Sequence, residues 1–172
     1  MKYQTNPELG PFLNHWGCHF CCILEKVEIK TNQKFSNAEV VAIYQKAMSE
    51  GYVQKEVRDH ENHPIDGCTI LDGDKNGAGD GDKIFNLGAE LKGSPIRAIG
   101  YRWESKDYVI KPNEEEILEL KRVGYPGSHF VSGTGVPHPE LWQHEIEFDP
   151  IEDGSQCARH GWIESKRILS FA

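Results

Sequence analysis

Hydrophobic residues along the chain follow two different spacings, one dominating the first half and the other the second. From about residue 17 to 27, Phe20, Ile23, Leu24 and Val27 recur at helical intervals, which predicts the central helix of the domain. A second helix is better delimited. Ser36 and Glu39 make a capping-box pattern, Val40, Ile43, Tyr44 and Ala47 make the apolar stripe, and Gly51 stops it. A third is predicted from about 82 to 91, carrying Ile84, Phe85, Leu87 and Leu91 and ending near Gly93. A fourth is predicted after Pro112, with Asn113 as N-cap, Glu116 three residues on, and Ile117, Leu118 and Val123 facing inward.

The second half otherwise changes character. Residues 96–103, 108–111, 129–133, 145–149 and 162–169 read as short strands between Gly and Pro breaks. Helices first and strands later indicate an α+β domain, in which N-terminal helices pack on a C-terminal antiparallel β-sheet. At 172 residues the chain is one domain, 1–172, large enough to bury a core without disulfide staples. Its one compositional island is an Asp/Gly-rich insertion around 66–82.

Composition narrows the classes of function. The formal net charge of −8 argues against a nucleic-acid groove, because phosphate binding needs clustered Lys and Arg. No apolar run approaches the length that spans a membrane, and the opening MKYQTNPELG lacks the apolar core of a signal peptide. Cytoplasmic residence with no membrane partner is the default expectation. The cysteines, at 18, 21, 22, 68 and 157, are odd in number with three of them crowded together, unlike a secreted disulfide framework. They are expected to be reduced.

Cys18 carries the clearest chemistry. It follows Trp16-Gly17 where the central helix is predicted to start, and unpaired N–H groups at a helix start stabilise a thiolate. His129, on a predicted strand, can take the thiol proton, and Asp149, ending the next strand, can orient the imidazole. Each residue also has a plainer reading. Cys18 can be a small buried hydrophobe, as Cys21 and Cys22 are expected to be. His129 can be a satisfied core histidine, and Asp149-Pro150 a strand-to-turn signal.

Taken together, Gln4, Gly17-Cys18, His129-Phe130-Val131 and Phe148-Asp149-Pro150 with Ser155 beyond resemble the papain-like cysteine peptidase superfamily. Within it they resemble the bacterial peptidases that process double-glycine leader peptides, and their standalone relatives. The trailing Trp162-Ile163 and Lys166-Arg167-Ile168 also fit the end of such domains, whereas residues 52–110 have no counterpart. The chain departs from the pattern at His19, where the family has Gly or a small residue, and at Ser128, where it has Gly. The resemblance implies a papain-like fold and a thiol-dependent hydrolase, a cysteine peptidase or amidase acting on a peptide or protein. Cys18 would be the nucleophile, His129 the general base and then acid, and Asp149 the orienting carboxylate. Gln4 would join the Cys18 N–H in an oxyanion hole. The alternative is a peptidase fold turned to binding or acyl transfer.

The thiol chemistry requires no cofactor, but the Asp-rich island makes calcium a candidate. Asp72-Gly73-Asp74-Lys75-Asn76-Gly77 matches the first half of a calcium loop, D-x-D-x-N-G. The twelfth position is Lys83 where a bidentate Glu is expected, so Asp80 or Asp82 would have to complete the oxygen cage. The competing expectation is a solvated Gly/Asp loop. Cys18-x-x-Cys21 lacks the second pair that structural zinc needs, and His138, His144 and His160 are expected at the surface.

Overall fold

The computed structural model describes residues 5–58, 61, 64–124, 127–136, 146–150 and 161–172. It is a mixed α+β structure. Helices α1 (Pro11–Trp16), α2 (Cys18–Thr31) and α3 (Asn37–Ser49) come first, followed by a hairpin of β1 (Val53–Arg58) and β2 (Pro64–Ile70) and by α4 (Gly81–Leu91). Strands β3 (Ala98–Ser105), β4 (Glu114–Lys121), β5 (His129–Gly133), β6 (Ile146–Phe148) and β7 (Trp162–Phe171) form an antiparallel sheet in the order β3-β7-β4-β5-β6.

The α2 start is fixed by Gly17. Its N–H bonds the Leu13 carbonyl and ends α1, while its own carbonyl accepts from Cys21 N–H and opens α2. A Cβ at this position would lie 2.5 Å from Leu13 O, so the junction requires glycine. Helix α3 carries the expected box, with Ser36 and Glu39 each bonding the other's backbone N–H.

Phe20, Ile23, Leu24 and Val27 of α2, Val40 and Ile43 of α3, and Ile84 and Phe85 of α4 pack against Ile117, Leu169 and Phe171 of the sheet. A smaller cluster of Leu118, Leu120 and Val131, with Ile146 and Ile163 against it, lies apart from this core. Helix α2 runs along β5 in the same direction. The Cys22 thiol lies 3.4 Å from the Phe130 carbonyl, and Lys26 Nζ lies 2.9 Å from that of Gly133. Residues 18, 22 and 26 therefore share one helical stripe facing that strand.

Two expectations fail. The predicted fourth helix is β4, a central strand between β7 and β5. Ile117 enters the main core and Leu118 the smaller cluster, so the segment is buried on both faces, a pattern that periodicity cannot separate from a buried helix. Its carboxylates, which resemble a solvated helix face, meet cations: Glu114 pairs with Arg102, Glu115 with Lys26 and Lys30, and Glu116 with Lys166. Asn113 is no N-cap; it bonds Phe171 through both backbone and side chain. Residues 108–111 form no strand either, and Tyr108 instead bonds Arg102 and Glu114 through its hydroxyl. Conversely, α1, β1 and β2 appear where no element was predicted.

The Asp/Gly-rich stretch is divided, since residues 66–70 complete β2 and only 71–80 form a loop before α4. Among the described residues, no helix is long and apolar enough to cross a membrane.

Candidate active site

Cys18 is the first residue of α2, and the N-cap Gly17 contributes no side-chain bond to that end. The helix therefore presents unpaired N–H groups and the positive end of its dipole beside a partly exposed thiol. His129 opens β5, and Asp149 directly follows β6. Because β5 and β6 are antiparallel neighbours, the beginning of one and the end of the other come to the same edge of the sheet.

There His129 Nε2 donates to Asp149 Oδ1 across 2.8 Å, with both side chains more than nine-tenths buried. A carboxylate only accepts, so the proton of this bond is on Nε2, and Nδ1 is the nitrogen left for Cys18. Burial by itself would push the His129 pKa down. Hydrogen bonds to Asp149 and to Cys18, with the negative charge of each, outweigh it and raise the pKa to about 10. The fold thus brings Cys18 close to an imidazole that is itself bonded to Asp149.

The neighbouring cysteines differ in kind. Burial raises the pKa of Cys21 and Cys22, with the Cys18 charge adding to it, so both are protonated packing groups. Cys68 on β2 is pushed up to about 12 by burial and by Cys18. Gln4, Cys157, His138, His144 and His160 lie outside the described residues.

The sequence marks His19 only as a departure from the family pattern and gives no signal for Tyr101 beside it. The His19 ring is stacked on that of Phe130, with centroids 4.1 Å apart and planes 9° from parallel. Its Nε2 lies 2.5 Å from the Tyr101 hydroxyl. Burial, and then the Arg167 charge, lowers the His19 pKa to about 3, so the ring is neutral. Tyr101 comes from β3, on the opposite side of the sheet order from β5, and only the folded chain brings it to α2.

The candidate calcium residues each have partners within the protein. Asp72 turns its carboxylate onto the Gly77 N–H of its own loop. Asn76 points into the protein, donating to Tyr101 O at 2.8 Å and accepting from Ala78 N–H. Lys83 Nζ lies 3.4 Å from Asp80 Oδ1 and 3.8 Å from Asp74 Oδ2, placing a positive charge between two would-be ligands. Asp82 sits in the first turn of α4. Among the described residues, no group of three or more His, Cys, Asp or Glu side chains is arranged to hold a metal ion, Cys18 and Cys21 included.

No family model matches the sequence, and no curated protein or solved structure gives a significant match to it.

Proposed function

We propose that the protein is a thiol-dependent hydrolase of papain-like fold, a cysteine peptidase or amidase acting on a peptide or protein through Cys18, His129 and Asp149. The observation that carries this reading is the His129–Asp149 bond through Nε2 beside Cys18 at the start of α2, near enough for the thiol to raise the His129 pKa. The imidazole is held by a buried carboxylate and lies beside a thiol at a helix start.

In the proposed reaction the Cys18 sulfur attacks the amide carbonyl carbon, and its proton resides on His129. The C–N bond breaks as His129 passes that proton to the leaving nitrogen, forming a thioester. Water then attacks the thioester while His129 takes its proton, and the thiol is regenerated as the acid leaves. Asp149 keeps the imidazole in the productive orientation. Cys18 N–H and the Gln4 amide are the proposed oxyanion donors.

The test is the rate of iodoacetamide alkylation at Cys18, read by peptide mass mapping between about pH 5 and pH 8. Cys18 is expected to react faster than a free thiol near neutrality, and His129→Ala to remove the advantage. Cleavage of fluorogenic peptide amides should vanish in Cys18→Ala. If His129→Ala leaves Cys18 alkylation unchanged, or if Cys21 or Cys22 controls it, the reading is wrong.

A further inference from the structure

The two residues proposed to react are each followed by an aromatic ring, and those two rings lie flat against each other. His19 follows Cys18, Phe130 follows His129, and the 4.1 Å separation of their centroids is a full stacking contact. We infer that His19 is a positioning residue: stacked on Phe130 and tethered by Tyr101, its ring sets the spacing between the start of α2 and the start of β5. This inference rests on the hydrolase reading, because the spacing matters only if Cys18 and His129 react together.

Both sides of the stack are anchored. Tyr101 is buried, and its hydroxyl is hydrogen-bonded to His19 Nε2. Its ring lies against Gly81, where a Cβ would fall 2.5 Å from the ring carbons, and its carbonyl is held by Asn76. On the other side the Phe130 carbonyl accepts from Cys22, and Arg167 lies over the Phe130 ring at 5.8 Å. Neither ring can slide without breaking a contact.

Histidine suits the position for two reasons. Its Nε2 satisfies a buried tyrosine hydroxyl that an apolar ring would leave unbonded. Its neutrality, maintained by burial and by Arg167, keeps a second imidazolium from competing with His129 for the Cys18 charge. The groups facing it are Tyr101 from β3, Phe130 from β5 and Arg167 from β7.

Alkylation of Cys18 across pH tests the role. His19→Ala removes the ring, and a misplacement of about 1 Å can cost up to about a hundredfold in rate. The variant is expected to alkylate at least about tenfold more slowly at neutral pH, with the acid limb of its profile moved upward. The double variant His19→Phe/Tyr101→Phe exchanges the hydrogen bond for added ring volume and keeps the stack; it should recover most of the rate and the original profile. Should His19→Ala fail to fold, Phe130→Leu removes the other ring and is expected to shift the profile in the same way. A folded His19→Ala protein with the parental rate and profile overturns the inference, as does a folded double variant that recovers neither. His129→Ala is measured in parallel. If it slows Cys18 and His19→Ala does not, only the positioning role falls; if it has no effect, the hydrolase reading falls.

Discussion

Lys26 Nζ donates to the carbonyl of Gly133 at 2.9 Å, closing the far end of a helix–strand contact that opens with Cys18 and His129. The lysine is fully buried, and its second partner is Glu115 at 3.4 Å. It holds α2 in register with β5 over two turns. Glu115 keeps Lys30 at 3.0 Å if Lys26 is removed, whereas the Gly133 carbonyl loses this donor. Lys26→Met should therefore destabilise the fold by about 2 kcal/mol, a lost charged hydrogen bond offset in part by apolar burial. Urea denaturation measures this, and an unchanged midpoint would show that the contact does not hold the register.

Gly81 meets Tyr101 at the opposite end of the contacts around His19. Alanine in a helix is ordinarily favoured over glycine by about 0.5–1 kcal/mol. At Gly81 the sign should reverse, because the added carbon would overlap the Tyr101 ring, and overpacking typically costs about 1–3 kcal/mol. Gly81→Ala is expected to lower the melting temperature and to slow Cys18 alkylation by moving Tyr101 away from His19. A variant more stable than the parent would mean that the ring gives way freely.

What could be read from the sequence followed from how local each signal is. The capping box at Ser36 and Glu39 and the stripe of α4 are complete within a dozen residues; the box forms as read, and the stripe buries Ile84 and Phe85 while Leu91 is exposed. Strands β3, β5, β6 and β7 are bounded by Gly and Pro and stand close to their expected places. The segment from Glu114 to Lys121 misleads because its acidic residues find their cations on α2, β3 and β7, partners that no local window contains. For the site, Cys18, His129 and Asp149 are legible as residue types in suitable settings, and the sheet order brings the latter two together. The contribution of His19 is not legible, since it depends on Tyr101 and Phe130, 82 and 111 positions away.

The two histidines make opposite predictions for pH. Folding raises the pKa of His129 from an ordinary value near 6.5 to about 10, so the folded chain binds its proton more tightly. That stabilisation is complete below about pH 6.5 and is lost as pH rises through about 10. Folding lowers the pKa of His19 to about 3, so its contribution is complete above about pH 6.5 and is lost as pH falls toward 3. Melting temperatures of the parent and His129→Gln should converge on the alkaline side. The melting temperature of His19→Phe/Tyr101→Phe should rise relative to the parent as pH falls from about 6.5 toward 3. Differences that stay flat across both ranges would contradict the two protonation states.

Lys83 is placed to oppose a cation in the Asp72–Asp82 loop. It occupies the twelfth position of the D-x-D-x-N-G pattern, where a calcium loop has a bidentate Glu, and its ammonium lies between Asp74 and Asp80. A cation entering the loop would have to displace that charge and also turn Asn76 away from Tyr101 O. The parent protein is therefore expected to show no change in melting temperature with millimolar calcium. Lys83→Glu removes the internal cation and supplies the missing carboxylate. It should lower stability without calcium, because Asp74, Asp80 and the new Glu repel one another, and regain it when calcium is added. Parallel thermal melts with calcium, magnesium and chelator measure both effects. Calcium stabilisation of the parent by several degrees would show that the lysine does not stand in for the metal.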